Sequence, residues 1–168
     1  MSNSAPESIK FCSRCGHEMI TKQVSDKLRR ACPDCGFIHF TDPKVGVGVV
    51  VMQDNQILLI RRTMAPEIGK WSIPAGYLDY GEDPAETAVR ETYEETNLHV
   101  AIEKLLNVYH NAPTEGGASV FIMYQAKLIG GTPKAGDDAD AVGFFSLNNL
   151  PDIAFTSTKD IISKLTKQ

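Results

Sequence analysis

Three glutamates on one side of a short helical segment are the residues of this sequence with the clearest capacity for chemistry. Glu91, Glu94 and Glu95 span about 100° of one helix face, because each residue turns a helix by about 100°. Like charges four residues apart destabilise a helix by about 0.2–0.5 kcal/mol. Carboxylates are hard oxygen ligands that suit Mg²⁺ or Mn²⁺, so we predict that a divalent cation, and then a phosphate, occupies this face. A solvated acidic face is the alternative interpretation.

The residues around these glutamates predict the bounds of the helix. Asp83 is a good N-cap, Pro84 suits the first helical position, and Glu86 completes a capping box with Asp83. Helical spacing continues to Thr96, and Asn97 falls where a left-handed residue ends many helices. We expect the opposite face to pack on a sheet; its residues are Ala85, Val89 and Tyr93, with Thr92 and Thr96 beside them.

Four cysteines near the N-terminus have the spacing of a metal site. Two Cys-x2-Cys pairs, separated by sixteen residues, comprise Cys12, Cys15, Cys32 and Cys35. This spacing is typical of ribbons that close a tetrahedral Zn²⁺ site, and four cysteines leave no open position, so the predicted zinc is structural. Two disulfides and a redox-active pair are the alternatives. The nearby His17 and His39 are interpreted as surface or packing residues.

Composition limits the classes of protein to which the chain can belong. The chain has 168 residues, a net charge of −4 and 42% apolar residues, as expected of a globular protein with a sizeable core. The acidic balance argues against nucleic acid or an anionic membrane surface as the main partner. No apolar run approaches the roughly 18–20 residues that cross a bilayer. The first ten residues, "MSNSAPESIK", lack the apolar core of a signal peptide, so a cytoplasmic location is expected.

A change in character near "FTDPK" divides the chain into two predicted domains, residues 1–44 and 45–168. Residues 1–44 carry seven Lys/Arg and five Asp/Glu, an excess too small to indicate a nucleic-acid surface. The second domain alternates strand-like and helix-like segments, which predicts a mixed α/β fold. Its expected strands are "VGVGVVVM", "ILLIRR", "HVAIEKLLNVY", "SVFIMYQAKLI" and "VGFFSL". A last helix is expected in "TSTKDIISKLTK", capped near Thr156 or Ser157.

One segment of the second domain resembles a known family. Gly76 is followed by five residues and Glu82, and then by seven residues and "RETYEETNL". This run resembles the Nudix box, G-x5-E-x7-R-E-U-x-E-E-x-G-U, where U is a bulky aliphatic residue. Thr92 replaces that aliphatic residue and Asn97 replaces the closing glycine, but neither lies on the metal face. The residues before the box that also resemble the family are Trp71, Pro74 and Ala75.

The resemblance implies a fold and a reaction. The fold is a Nudix α/β/α sandwich, a mixed sheet between helices, preceded here by the small zinc ribbon. The reaction is hydrolysis of a nucleoside diphosphate linked to another moiety, with Mg²⁺ or Mn²⁺. Cleavage of a phosphoanhydride needs charge neutralisation and an activated water, and bound cations supply both.

The resemblance also implies site residues. The expected catalytic residues are the metal-binding Glu91, Glu94 and Glu95 and the orienting Glu82 and Arg90. The expected substrate-binding residues are Gly76, Tyr77 and Asp138. The general base varies within the family, and it is either one of the glutamates or a residue of the loop "GDDAD". A solvated turn is the alternative interpretation of that loop, whose acidic residues are Asp137, Asp138 and Asp140.

Two subgroups of the family combine a ribbon with a Nudix domain. NADH pyrophosphatases carry an S-Q-P-W-P-F-P-x-S array after the box, and "LLNVYHNAPTEGGASVFIM" lacks it. "IPAGYLDYGED" and "IAFTSTKDII" are more similar to FAD and ADP-ribose pyrophosphatases, so the predicted substrates are FAD and ADP-ribose, cleaved to release AMP. NADH is the alternative substrate. Aromatic residues that could stack a base, with packing as the alternative, are Tyr77, Tyr109, Phe121 and Phe155.

Two functions of other classes stay open. One is a non-catalytic Nudix ligand sensor whose ribbon binds nucleic acid, although such a sensor need not keep Glu91, Glu94 and Glu95. The other is an assembly module whose ribbon mediates dimer contacts, which is compatible with enzymatic activity. The resemblance implies a homodimer.

Overall fold

A computed structural model describes residues 9–111, 118–136 and 138–166. The chain divides into two units, residues 1–42 and 43–168, and each is described by itself. No helix in the described part of the chain is long and apolar enough to cross a membrane. Asp137, one of the three acidic residues of "GDDAD", lies outside the described residues.

The first unit is a small antiparallel sheet. Its strands are β1 (Ile20–Val24), β2 (Lys27–Ala31) and β3 (Ile38–His39), in the order β1-β2-β3. Only a small cluster is buried beside it, formed by Cys12, Met19 and Cys32 with the partly buried Ile9 and Phe37 packed against it. Six of the ten residues of β1 and β2 are exposed, so apolar burial alone contributes little to this unit.

The second unit is built on a mixed sheet. Its order is β10-β5-β4-β9-β8, with β6 added to β5 and β7 added to β4. The pair β4–β9 is parallel and the other pairs are antiparallel. The strands are β4 (Val45–Gln53), β5 (Gln56–Arg62), β6 (Trp71–Ser72), β7 (Ala75–Tyr77), β8 (Leu98–His110), β9 (Val120–Gly131) and β10 (Ala139–Ser146). The helices are α1 (Pro84–Thr96) and α2 (Thr156–Leu165).

The side chains of β4 point alternately to the two faces of the sheet, and a helix covers each face. Val47, Val49 and Val51 pack in one cluster with Ala88 of α1. The intervening Val50 packs in a second cluster, which contains residues of α2. Successive side chains of a strand point to opposite faces, so a strand buried on both faces carries an uninterrupted apolar run. The predicted α/β/α sandwich is thereby confirmed.

Most of the predicted elements are present, with two local differences. Gly130 and Gly131, predicted as a loop, continue strand β9, because they pair with His99 and Leu98 of β8. The last helix is present, but its N-cap is Phe155 rather than the predicted Thr156 or Ser157, and Phe155 supplies no side-chain hydrogen bond.

Candidate active site

Helix α1 is fixed at both ends by its own sequence. The Asp83 side chain accepts hydrogen bonds from the N–H groups of Ala85, at 2.8 Å, and Glu86, at 3.2 Å. Asn97 ends the helix with φ 57° and ψ 23°, which is the left-handed conformation predicted for it. The reciprocal half of the predicted capping box is not formed, since no hydrogen bond from the N–H of Asp83 to Glu86 occurs among the described residues.

The buried face of α1 differs from the predicted one. Ala88, Thr92 and Thr96 are buried, whereas Tyr93 is 46% exposed and stacks on His99. Thr92 Oγ1 donates to the carbonyl of Ala88 at 2.7 Å, and Thr96 Oγ1 donates to the carbonyl of Thr92. These bonds satisfy both hydroxyls within the helix, so the two threonines pack against the sheet without leaving a polar atom unpaired.

Arg90 joins the acidic residues of the site. Its Nη1 donates to Glu91 Oε1 and to Glu94 Oε2, both at 2.9 Å. Its Nε and Nη2 donate to the two oxygens of Glu82 at 3.2 and 3.1 Å. Glu82 also accepts from the N–H of Asp79 at 3.0 Å. The N–H of Asp79, and then Arg90, lower the pKa of Glu82, so this carboxylate is a fixed anion that holds Arg90 in place.

Glu95 is the buried member of the acidic set. It is 4% exposed, and its Oε2 accepts from the N–H of Ala75 at 2.9 Å. Burial raises the pKa of Glu95 to about 8, with a smaller contribution from the charge of Glu91, although the Ala75 N–H acts in the opposite direction. No basic side chain of the described residues lies within ion-pair distance of it. Arg62 lowers the pKa of Glu95 only through its charge at longer range, and a buried carboxylate without a cation in contact is a favourable position for a metal ion.

Gly76 brings strand β7 against the helix. It pairs with Val47 of β4, and a Cβ at this position would lie 2.0 Å from Glu91 Cδ. Any side chain here would therefore displace the Glu91 carboxylate. Gly48, on the same strand as Val47, leaves similar room for Phe121, whose ring a Cβ would approach to 2.5 Å.

The loop before β10 is tied to the end of α1. The N–H groups of Lys134 and Gly136 donate to the carbonyls of Thr96 and Glu95 at 2.9 and 3.2 Å. The carbonyl of Asp138 accepts from both the N–H and the hydroxyl of Thr63. These bonds satisfy carbonyls that the helix end leaves open, and they fix the backbone of Asp138 beside the glutamates.

Asp140, one of the candidate bases, has a different position. Its two oxygens accept from Arg61 Nε at 2.7 Å and Nη2 at 3.1 Å. This bidentate pair lowers the pKa of Asp140. Asp140 does not line the cavity that holds the glutamates, so the structure assigns it to a surface ion pair.

A single cavity of about 470 Å³ brings these parts together. The predicted site residues that line it are Gly76, Tyr77, Arg90, Glu91, Glu94, Glu95 and Asp138. Glu82 does not line the cavity, but it accepts two hydrogen bonds from Arg90, which does. Phe121 and Phe155 also line it, whereas Tyr109 does not and instead donates to Asp160 at 2.8 Å. Polar cavity residues that no motif of the sequence indicated include Arg62, Ser72 and Asn111.

The three glutamates offer the type of ligand atom that a divalent cation prefers, but in this arrangement their ligand atoms are too far apart to bind one ion together. Among the described residues, Glu91, Glu94 and Glu95 are not a group whose ligand atoms all lie within 4.8 Å of one another. Arg90 draws Glu91 and Glu94 toward its guanidinium, while Glu95 points inward to Ala75. The donors are all carboxylate oxygens, the ligands that Mg²⁺ and Mn²⁺ prefer.

The four cysteines of the first unit lie together. One Sγ from each of Cys12, Cys15, Cys32 and Cys35 lies within 4.8 Å of the others. The distances Cys12–Cys35 and Cys15–Cys32 are 3.6 and 3.5 Å, far longer than the roughly 2.05 Å of a disulfide, and all four are free. Tetrahedral thiolates at about 2.3 Å from a metal would be spaced in this way.

Two equivalent turns present these sulfurs. The N–H of Gly16 donates to the Cys12 carbonyl at 2.9 Å, and the N–H of Gly36 donates to the Cys32 carbonyl at 3.1 Å. Both glycines have positive φ, 78° and 73°, which a side chain would disfavour. His17 lies beside the cluster, with Nδ1 3.4 Å from Asp34 Oδ2, and the four sulfurs are sufficient for a tetrahedral site without it.

The chain is similar to known proteins along nearly its whole length. It is 41% identical over 152 residues to an ADP-ribose pyrophosphatase from Methanocaldococcus jannaschii, covering 90% of this chain and 85% of the relative. It is 28% identical to a NAD-capped RNA hydrolase NudC from Vibrio atlanticus, with 90% of this chain but only 55% of the relative's length covered. The crystal structure of a NUDIX hydrolase from Nitrosomonas europaea has a TM-score of 0.85 and 35% identity, and covers 95% of this chain and 91% of that one.

Each of the two units matches a protein family. The NUDIX domain matches residues 42–165, and the zinc-ribbon family described as Nudix N-terminal matches residues 10–41. The first match includes α1 with its glutamates, the loop of Asp138 and the cavity between them. The chain therefore belongs to the NUDIX family, with that family's N-terminal zinc ribbon, and is a pyrophosphohydrolase.

Proposed function

We propose that the protein hydrolyses the central phosphoanhydride of a nucleoside diphosphate linked to another moiety, that ADP-ribose and FAD are its best substrates, and that AMP is released. The observation that carries the proposal is the cavity in which Glu91, Glu94 and Glu95 lie with three aromatic residues, Tyr77, Phe121 and Phe155. Its volume of about 470 Å³ is typical of sites for ligands of nucleotide size.

The acidic residues hold the diphosphate end. Glu91, Glu94 and Glu95 would bind Mg²⁺ or Mn²⁺, which neutralises phosphate charge and activates water when bound. Arg90 positions Glu91 and Glu94, and Glu82 positions Arg90 through two hydrogen bonds. Glu95 is oriented by the N–H of Ala75, so each carboxylate has a partner that limits its motion.

The aromatic residues suit the nucleoside end. Tyr77 is 48% exposed at the cavity, and Lys44 Nζ lies 5.1 Å from the centre of its ring. A base can stack on such a ring. Gly76 keeps the cavity wall beside Tyr77 free of side chain. Asp138 lines the same cavity as the three glutamates, so it is a candidate for a substrate contact or for the base.

The ribbon completes the proposal. Cys12, Cys15, Cys32 and Cys35 would bind one structural Zn²⁺, and the two domains would comprise residues 1–44 and 45–168. A homodimer and a cytoplasmic location remain predictions of the sequence.

Steady-state kinetics on a substrate panel test the proposed function. kcat/KM would be measured with FAD, ADP-ribose, NADH and a set of nucleoside triphosphates, at fixed Mg²⁺ and again at fixed Mn²⁺. We expect FAD or ADP-ribose to lead, and chromatography of the products to show AMP. A lead of roughly tenfold or more for NADH or a triphosphate, about 1.4 kcal/mol of transition-state preference, would reject the assignment.

The NudC relatives favour a second candidate substrate, NADH or another NAD-containing molecule. The chain spans about half the length of those relatives, and their similarity is lower than that of the ADP-ribose pyrophosphatase. The same panel decides between the two. A ligand sensor would instead bind ADP-ribose tightly without hydrolysing it in the presence of metal.

A further inference from the structure

Strand pairing in the ribbon places three of its cations on one face of its small sheet. Lys22 of β1 pairs with Arg29 of β2, and Lys27 lies two residues before Arg29 on the same strand. Paired residues, and residues two apart along a strand, share a face. Ile20, two residues before Lys22, therefore lies on this face as well. We call this surface the basic face; the residues on which the argument rests are Ile20, Lys22, Lys27, Arg29 and Phe40.

Phe40 adds an aromatic ring to the basic face. It follows directly after β3, and Arg29 Cζ lies 4.7 Å from the centre of its ring. Phe40 is 56% exposed and Ile20 is 47% exposed, so apolar surface lies beside the cations. Aromatic rings and guanidinium groups are the two planar groups of proteins on which unpaired nucleobases stack.

The cations of the basic face have no anionic partner. The strands β1, β2 and β3 contain no Asp or Glu. Among the residues that the structure describes, no carboxylate lies within 4.0 Å of Lys22, Lys27 or Arg29. Arg30, on the opposite face, instead donates to the carbonyl of Ile9 at 2.9 Å and to two other oxygens of the ribbon. The small charge excess of the whole ribbon therefore conceals a face on which the positive charge is not balanced.

We propose that the basic face binds a single-stranded nucleic acid. Such a ligand presents phosphate anions together with unpaired bases, and proteins bind it with cations that follow the backbone and aromatic groups that stack on the bases. Lys22, Lys27 and Arg29 match the phosphates, and Phe40 matches the bases. A duplex keeps its bases stacked inside, and an acidic peptide chain has no base to place on the Phe40 ring. The basic face contains no residue of the catalytic cavity, so this proposal does not depend on the proposed function.

The number of cations sets how strongly salt should oppose binding. Lys27 and Arg29 are about 6.8 Å apart along β2, and Lys22 lies across from Arg29 on β1. Three neighbouring cations can neutralise about three phosphates. Each neutralised phosphate of a single strand contributes about 0.7 to the slope of log affinity against log salt. The expected slope is therefore about −2.

Salt-dependent binding of an oligonucleotide tests the cations. The full chain with its ribbon zinc, in buffer without Mg²⁺ or Mn²⁺, would be titrated against labelled oligouridylate of about 12 nucleotides, within the usual range of single-strand sites. Fluorescence anisotropy would measure Kd at several salt concentrations. Lys22→Gln and Lys27→Gln should each weaken binding and reduce the size of the slope by about 0.7. Lys127→Gln, at an exposed lysine of β9 in the catalytic unit, is the matched control and should behave as wild type.

The aromatic ring separates a nucleic acid from a ligand that offers charge alone. Phe40→Ala should weaken oligouridylate binding at least about fivefold without changing the salt slope, because a lost stack removes no charge. Phe40→Leu, which keeps apolar volume but has no ring, should show the same loss. Heparin carries charge without bases, so its affinity should not respond to either change. Oligouridylate binding that is insensitive to both changes, or an equal loss for heparin, would overturn the assignment to a nucleic acid.

Competitors and fold controls complete the test. Duplex RNA and polyglutamate should each displace the oligouridylate less well than unlabelled oligouridylate does. Equal competition by the duplex or by polyglutamate would assign the face to that ligand instead and reject the proposal. Each variant should keep about one zinc by elemental analysis and wild-type hydrogen exchange in residues 9–42, so that a loss of affinity is not a loss of the ribbon fold. Failure of wild type to bind oligouridylate at low salt, with zinc in place, would also reject it.

Discussion

The ribbon and the catalytic unit bury very different amounts of apolar side chain. Among the residues that the structure describes, the ribbon has one buried cluster of three, and two of them, Cys12 and Cys32, belong to the cysteine group. The catalytic unit has two clusters of eight buried residues each, one on either face of its sheet. A unit of about 40 residues rarely holds a fold by apolar burial alone and commonly needs a metal or disulfides. Metal is therefore expected to be structural in the first unit and functional in the second.

The largest expected effect is loss of the ribbon's fold when its metal is removed. Cys32→Ser should abolish zinc binding, which contributes about 10–16 kcal/mol to folding of comparable zinc modules at neutral pH. Elemental analysis would show about one zinc per wild-type chain and none in the variant, and hydrogen exchange would show loss of protection in residues 9–42. Trp71, the single tryptophan, lies in the catalytic unit, so its fluorescence should not change.

Ser13→Ala, between two of the cysteines, is the matched control and should retain zinc. Fresh, reduced protein without zinc would contradict the prediction, as would a Cys32→Ser variant that keeps it.

In the catalytic unit, loss of a metal ligand should affect turnover and leave the fold intact. Glu94→Gln and Glu95→Gln each remove a charge with little change in shape, and turnover should fall about 10²-fold or more. Steady-state kinetics and Trp71 fluorescence melts would measure the two effects separately. Glu86→Gln, on the same helix but outside the cavity, should behave as wild type. Near-normal turnover in both site variants would mean that the metal site is elsewhere.

What the sequence could predict follows from how local each feature is. The ends of α1 depend on Asp83 and Asn97, which act within one turn, and both were predicted. The buried face of α1 was predicted only in part, because helical spacing shows which residues share a face but not where the sheet lies. Thr92 and Thr96 are buried and Val89 packs against the core cluster, as expected, whereas Ala88 is buried and Tyr93 is exposed.

The rest of the cavity depends on contacts between distant segments. Arg62 and Ser72 carry no motif, and each becomes a cavity residue only when β5 and β6 meet the rest of the cavity wall. The burial of Glu95 has the same origin, since it arises from β7 passing over the helix at Ala75. Asp140 is a candidate base that lies outside the cavity. Its sequence context suggested a base, but Arg61, 79 residues away, holds it in an ion pair.

A smaller effect is expected on the pH dependence of stability. Burial raises the pKa of Glu95 from its ordinary value of 4.5 to about 8. Between those values the folded protein retains a proton that the unfolded chain has lost, so stability falls as pH rises across this window. Without Mg²⁺ or Mn²⁺ the loss should be on the order of a few kcal/mol. Urea unfolding followed by Trp71 fluorescence at pH 5 and pH 8 would measure it.

Glu95→Gln should remove most of that slope, because an amide does not titrate. Mg²⁺ or Mn²⁺ should reduce it as well, since a bound cation favours the ionised carboxylate. A slope that persists in Glu95→Gln would assign the pH dependence to another group.

The smallest expected effect on stability concerns residues with a left-handed backbone conformation. The two units use different residue types at these positions. The ribbon turns use Gly16 and Gly36 at φ 78° and 73°, whereas α1 ends on Asn97 at φ 57°, where the Nudix box has glycine. Asn97 Nδ2 donates to the Thr132 carbonyl at 3.0 Å. Asn97→Ala loses that bond and retains the strain, so it should destabilise the protein by about 1–2 kcal/mol.

Asn97→Gly also loses the Thr132 bond, but glycine adopts the left-handed conformation without strain. The two contributions are opposite and similar in size, so stability should change by less than about 1 kcal/mol. Asn97 does not line the cavity, so kcat/KM should match wild type in both variants. Melting curves from Trp71 fluorescence and kinetics on ADP-ribose would measure both quantities. A loss of turnover in Asn97→Gly without loss of stability would show that this departure from the box has a role in the site, through the loop that Thr132 begins and Asp138 ends.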